Sequence, residues 1–289
     1  MIEDAMTTPL DPVGSREPFE ERWITMSDGV ELRVMSWDPV SPLSAEPMMF
    51  VAGWVSVIEG WRPLLEVLIP RRPLHYIETR EKRSARIPKT AMRPTSFSVA
   101  RLGEDLTTIA DAVGIEPGRS VWFGSSMGAN AILEAAKHDR LAARGAFLVG
   151  PNAEFRFPWW GKPIVHLPAA AYRPAKRFAL WYIRNFRVDA RAEPDQMKRY
   201  VRTLNAADPV RLKLSARAVL DYSVWPDLAT VSAPVAIAYA SSDKLHGEDE
   251  AKAIASGIPS GRAVRCPSNT YMHQAGVAKE IEDFIAELV

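Results

Sequence analysis

Residues Ser120-Val121-Trp122-Phe123-Gly124-Ser125-Ser126-Met127-Gly128 run directly into Ala129-Asn130-Ala131-Ile132-Leu133-Glu134-Ala135-Ala136-Lys137. The β-branched and aromatic run Val121-Trp122-Phe123 reads as a buried strand, and the alanine-rich segment after Gly128 reads as a helix. The Gly-x-Ser-x-Gly pattern between them predicts the sharp strand-to-helix turn called the nucleophile elbow. Each residue type has a physical reason to be there. A strained backbone at Ser126 would lift its hydroxyl clear of the sheet. Gly124 and Gly128 have no Cβ, so strand and helix can pass close on either side. The helix N-terminus would aim N–H groups at a developing oxyanion, Met127 N–H first among them.

Outward from the elbow, apolar strands alternate with helical segments. On the N-terminal side, Trp23 to Met26 and the alternating run Val30 to Trp37 flank Ser27-Asp28-Gly29, a hairpin signal. Met48 to Ala52 is a continuous apolar run, as expected of a strand buried on both faces. A helix is expected over Trp61 to Leu68, a strand over Leu74 to Ile77, and a helix over Val99 to Val113 closed by Gly114. Beyond the elbow helix, Gly145 to Val149, Pro234 to Ala240 and Ala263 to Cys266 read as strands, and Val277 to Val289 as a terminal amphipathic helix. Such alternation implies α/β class: a mostly parallel sheet of about eight strands with helices on both faces. Residues 151–232 break the pattern and are read as a helical lid inserted over the strand ends. The core is expected over 19–150 and 233–289, with 1–18 as a flexible arm.

The bulk properties exclude several classes. The chain has 289 residues, 47% of them hydrophobic and 25% charged, with a net charge of +1, so no global field points to nucleic acid. The lone cysteine, Cys266, rules out an internal disulfide and fits a reducing compartment; burial as a small core residue is its expected role. Met1 to Pro18 shows no basic segment followed by an apolar run, so no signal peptide is expected. No stretch approaches 18 consecutive apolar residues, so no transmembrane segment is expected either, and a cytoplasmic location follows as the expectation.

A serine nucleophile needs a base, and the base an orienting carboxylate. Of five histidines, His75 falls in a strand, His138 ends a helix, His166 lies in the insertion and His246 sits just beyond a strand; His273 occupies the loop between the last strand and the last helix. Asp243 follows the strand that ends near Ala240, at the edge where α/β sheets present their ligands. Glu154, after the strand ending at Val149, is the second candidate for the acid.

The order Ser126, Asp243, His273, together with the elbow, resembles the α/β-hydrolase superfamily over roughly residues 20 to 150 and 233 to 289. Phe50-Val51-Ala52-Gly53-Trp54 is similar to that family's oxyanion-hole loop, which implies Trp54 N–H as a donor beside Met127 N–H. Glu78 to Ser84 is similar to its acidic-x-Arg-Gly-x-Gly-x-Ser turn, although Glu81 and Arg83 stand where the glycines would be, and Ala52 replaces the usual histidine. The resemblance implies a serine esterase working through an acyl-enzyme, with no metal or organic cofactor. A thioesterase, a lipase for monoacyl lipids, a cofactor-free C–C bond hydrolase and a non-catalytic binding protein on the same fold remain the alternatives.

The charge pattern bears on the partner. Aromatics (Phe155, Phe157, Trp159, Trp160, Tyr172, Phe178, Trp181, Tyr182, Phe186) alternate with Arg156, Arg173, Arg177, Arg184 and other bases across 154–191, and a second basic cluster runs from Arg71 to Arg101. One reading is a helical lid with a solvated outer face. The other is an apolar acyl pocket with a cationic rim, suited to a small-molecule ester or thioester carrying an anionic group, or to peripheral contact with anionic lipid.

Overall fold

The computed structural model describes residues 10–155, 177, 178, 180–182, 184, 185, 194–243 and 247–288. His166, His246 and most of the aromatic and basic span of 156–193, including Trp159, Trp160 and Arg173, lie outside the described residues.

Eight strands form one sheet: β1 (Phe19–Thr25), β2 (Glu31–Trp37), β3 (Met48–Val51), β4 (Leu74–Ile77), β5 (Val121–Ser125), β6 (Gly145–Val149), β7 (Val235–Tyr239) and β8 (Gly261–Arg265). Their order across the sheet is β1-β2-β4-β3-β5-β6-β7-β8. β1 pairs antiparallel with β2, and β2 antiparallel with β4, while every pairing from β4 to β8 is parallel. The Asp28-Gly29 turn closes the β1–β2 hairpin, with Met26 N–H donating to the Val30 carbonyl at 2.7 Å.

Period-two side-chain alternation divides the core. Met49, Val51, Trp122, Leu148 and Ile237 point into one apolar cluster, packed under α2 (Val99–Ala112) and α3 (Met127–Ala136). Met48, Phe50, Phe123, Phe147 and Ala236 point into the other, under α1 (Arg62–Leu68) and α7 (Ala278–Glu287). Both faces are therefore covered, which is why the central strands carry no polar face. In the inserted region lie α4 (Pro194–Ala206) and α5 (Pro209–Ala218). The Asp208 side chain caps α5 by accepting from the Val210 and Arg211 N–H groups, each at 2.9 Å, with Pro209 opening the helix. A helix not foreseen from the sequence, α6 (Glu248–Ser256), packs between β7 and β8 in the chain. Among the described residues no helix is long and apolar enough to cross a membrane.

The part of the expected N-terminal arm from Asp11 onward is tied down rather than loose. The Asp11 carboxylate accepts from Val13 and Ser15 N–H at 2.8 and 2.7 Å, Arg62 donates to the Pro12 carbonyl at 2.7 Å, and Val13 is buried in the same cluster as Met35 and Trp37.

Because β3 to β8 run parallel, their C-terminal ends share one edge of the sheet. Gly53, Ser126, Asn152, Asp243 and His273 all follow strands ending there.

Candidate active site

Ser126 occupies the turn between β5 and α3 with φ 50° and ψ −117°, a conformation foreign to L-residues with a side chain. The two flanking glycines explain how the turn closes. A Cβ on Gly128 would lie 2.3 Å from the Val51 carbonyl oxygen, and one on Gly124 would lie 2.8 Å from Ala129 Cα, so neither position tolerates a side chain. Strand β5 and helix α3 therefore meet at Ser126 with a glycine on either side of the turn. Met127 is the first residue of α3, where N–H groups lack intrahelical acceptors.

His273 is buried and packs its ring 4.9 Å from the Trp61 ring. Its Nδ1 lies 2.8 Å from the Asn269 carbonyl. A carbonyl only accepts, so Nδ1 carries the proton and Nε2 presents a lone pair. That Nε2 lies 3.4 Å from Ser125 Oγ, the neighbour of the elbow serine. Asp243 is buried three residues beyond Ala240, to whose carbonyl its N–H donates at 2.9 Å. The adjacent Ser242 Oγ accepts from Asn269 N–H at 3.1 Å, which stitches the loop of Asp243 to the loop of His273. Glu154, the other acid considered, is exposed and bridges through its backbone to Ser223.

The loop after β3 lies against the elbow, with Gly53 facing Ser125 and Ser126. Residues 53 to 56 form a tight turn, closed by Ser56 N–H donating to the Gly53 carbonyl at 3.0 Å, with Val55 at φ 46°. A β-branched residue at that angle is strained and must be held. Glu81 and Lys82 hold it. Glu81 Oε1 accepts from Val55 N–H at 3.2 Å, Thr79 Oγ1 at 2.7 Å and Lys82 Nζ at 2.6 Å, while Lys82 Nζ also donates to the Gly53 carbonyl at 2.8 Å. Burial pushes the Glu81 carboxyl up, yet the charge and hydrogen bond of Lys82 and the bond from Thr79 outweigh it and hold the group below its ordinary value. Trp54 is anchored from the other side, its indole N–H donating to Ser215 Oγ on α5 at 2.9 Å.

These elements enclose a cavity of about 860 Å³ lined by Trp54, Val55, Trp61, Ser125, Ser126 and His273, by Phe155 and Trp225, and by Arg199, Tyr200 and Leu204 of α4. Helix α4 thus contributes part of the cavity wall. Arg156, Arg173 and most of the other bases of the expected cationic rim lie outside the described residues. Among the described lining residues Arg199 is the one arginine or lysine, against Glu154, Glu248, Asp249 and Glu250. The basic cluster of 71–101 is largely consumed by internal pairing. Arg72 meets Glu282 at 2.5 Å, buried Arg80 meets Asp105 at 2.5 Å and Asp28 at 2.6 Å, Arg86 meets Glu31 at 3.0 Å, and Arg101 meets Glu104 at 2.9 Å. Cys266 is buried, and burial pushes its thiol up to about 12, so it is inert at neutral pH.

Sequence reasoning missed three contributors. The brace Glu81–Lys82 was visible only as a departure from a glycine pattern. Asn152 Nδ2 lies 3.3 Å from Ser126 Oγ, and Asn130 on α3 lies behind it. Nothing local in the sequence marks either asparagine, because their partners are 22 and 26 positions away.

No protein-family profile and no curated protein sequence matches the chain. Solved structures do. A hydrolase from Pseudomonas aeruginosa superposes with a TM-score of 0.70 at 20% identity, over 93% of this chain and 98% of that one. A thermophilic esterase from Thermogutta terrifontis gives 0.72 at 17% identity, over 93% and 99%. An enol-lactonase from Burkholderia xenovorans gives 0.73 at 17% identity, over 92% and 100%. With the elbow, the strand order and these superpositions together, the chain has the α/β-hydrolase fold.

Proposed function

We propose that the protein is a serine hydrolase that cleaves a carboxylic ester of a small molecule by acyl transfer. The observation that carries this reading is Ser126 at φ 50° on the elbow, lining the same cavity as His273. Strain of that kind costs about 1–3 kcal/mol and persists where function requires it.

In this reading Ser126 Oγ attacks the ester carbonyl carbon as His273 Nε2 takes its proton. The oxyanion accepts from Met127 and Trp54 N–H, and His273 returns the proton to the departing alkoxide. Water, deprotonated by the same imidazole, then releases the acid and restores Ser126. Asp243 stabilises the imidazolium, while the Asn269 carbonyl keeps Nδ1 protonated. An esterase and an enol-lactonase among the structural neighbours support the choice of an ester. Trp54, Trp61, Phe155 and Trp225 in the lining favour an apolar acyl group.

The test is a panel of p-nitrophenyl esters from acetate to palmitate, with acyl-CoA thioesters alongside, on wild type, Ser126→Ala and Ser125→Ala. Turnover that vanishes in Ser126→Ala and survives in Ser125→Ala is the expected result. Loss in Ser125→Ala alone would move the nucleophile by one residue and defeat the proposal.

A further inference from the structure

Asn152 and Asn130 form a network in which every amide orientation is determined. Asn130 is fully buried. Its Oδ1 lies 2.9 Å from the backbone N–H of Asn152, which only donates, and its Nδ2 lies 2.7 Å from the backbone carbonyl of Asn152, which only accepts. These two backbone groups fix which end of the Asn130 amide is oxygen. Tyr222 agrees with the assignment: its hydroxyl accepts from Asn130 Nδ2 at 3.2 Å and donates to Glu134 Oε1 at 3.0 Å, and Glu134 is held in turn by Lys137 at 2.7 Å.

The consequence reaches the elbow. The Asn152 side chain faces Asn130 Oδ1 at 3.3 Å and must therefore present its NH2 there, and the same NH2 lies 3.3 Å from Ser126 Oγ. With one hydrogen directed to each oxygen, Asn152 is a donor to the serine, and a flip would set its own oxygen against Asn130 Oδ1, which only accepts. An N–H aimed at Oγ stabilises negative charge on that atom and leaves the hydroxyl proton for a base.

We propose that Asn152 is a further catalytic residue, an orientation-locked hydrogen-bond donor to Ser126 Oγ that stabilises the charge on this oxygen as it attacks and as it departs. This rests on the reading of Ser126 as nucleophile. Asn130, which does not touch the reacting atoms, acts as the positioning residue that sets the amide.

The experiment measures the rate constant for fluorophosphonate labelling of Ser126, and kcat and KM for the best p-nitrophenyl ester, in wild type and in the Asn152→Leu, Asn152→Asp and Asn152→Ser variants. Leucine matches asparagine in size and lacks the donor; aspartate matches its shape and, when ionised, only accepts. The expected result is a fall of about 100-fold in labelling rate and in kcat, the low end of the range for single donors at reacting oxygens, with KM little changed. Asn152→Asp should equal or exceed Asn152→Leu in its loss at pH 8, then gain on it as pH falls and the carboxyl regains a proton to donate. The Ser and Asp variants keep the comparison available if leucine impairs folding, which thermal melting would reveal. Wild type labelled at Ser126 with the Asn152 variants within twofold of it would overturn the role of Asn152 alone. Wild type that resists labelling would overturn the nucleophile reading and this inference with it.

Discussion

At the scale of single residues, the site is a set of conformations that the backbone resists and the neighbours enforce. Ser126 at φ 50° is the clearest case. Ser126→Gly should relieve that strain, whereas Ser126→Ala keeps the Cβ and the strain with it. Gly also frees the unfolded chain, which offsets part of the gain. The expected outcome is that Ser126→Gly is more stable than Ser126→Ala by about 1 kcal/mol in urea denaturation, with both inactive. Equal midpoints would mean that the elbow stores no strain. The serine was legible in the sequence because its pattern is local: two glycines at fixed offsets between a strand and a helix. Asn152 was not, since an asparagine shortly after a strand looks like any loop residue, and its meaning lies in an oxygen 26 positions upstream.

At the scale of elements, the loop after β3 and the turn after β4 form one unit. The sequence showed Glu81 where the resembled pattern has glycine. The structure explains the substitution: the turn no longer needs an unhindered backbone because it supplies a carboxylate to the neighbouring loop. Glu81 and Lys82 are 1% and 6% exposed, so their charges depend on each other. Glu81→Gln keeps an acceptor for Val55 N–H but leaves the ammonium buried without a counter-charge, and should cost about 3–5 kcal/mol. The double variant Glu81→Gln, Lys82→Met removes the charge imbalance and should recover most of that stability. It should not recover ester hydrolysis, because the Gly53 carbonyl of the strained turn has lost its donor. Chemical denaturation and initial rates on the three proteins check both halves. The helical region after residue 151 was less legible than the strands, since an inserted segment has no sheet to impose a period on its apolar residues. The helix α6 escaped notice for a similar reason: three acidic residues open it, and its buried face is Ala251, Ile254 and Ala255.

At the scale of the whole molecule, the central strands were readable because they are buried on both faces and show as unbroken apolar runs, whereas their order across the sheet came only with the structure. The destination of the charges was not readable, because a basic residue looks the same in sequence whether it faces solvent or a carboxylate far along the chain. Arg80, wholly buried between Asp28 and Asp105, joins the hairpin turn to α2 and belongs to the scaffold. His75 shows how the sheet itself responds to pH. It lies in β4, with its Nδ1 2.8 Å from Ser36 Oγ, and burial, helped by Arg22, pulls it down to about 4. Its folded value lies below its unfolded one, so the unfolded chain binds more protons between pH 6.5 and 4 and stability falls as pH falls through that window. By pH 5 the loss should reach at most about 2 kcal/mol. His75→Gln should flatten this part of the stability profile, and an unchanged slope would remove His75 as its cause. The central claim, that the elbow serine is a nucleophile activated within this fold, is tested most directly by incubating the protein with a fluorophosphonate and locating the adduct by peptide mass spectrometry. One adduct per chain on Ser126, absent from Ser126→Ala and suppressed in His273→Ala, is the predicted result. A native protein that takes up no label, or takes it up at Ser125 or elsewhere, would contradict the account.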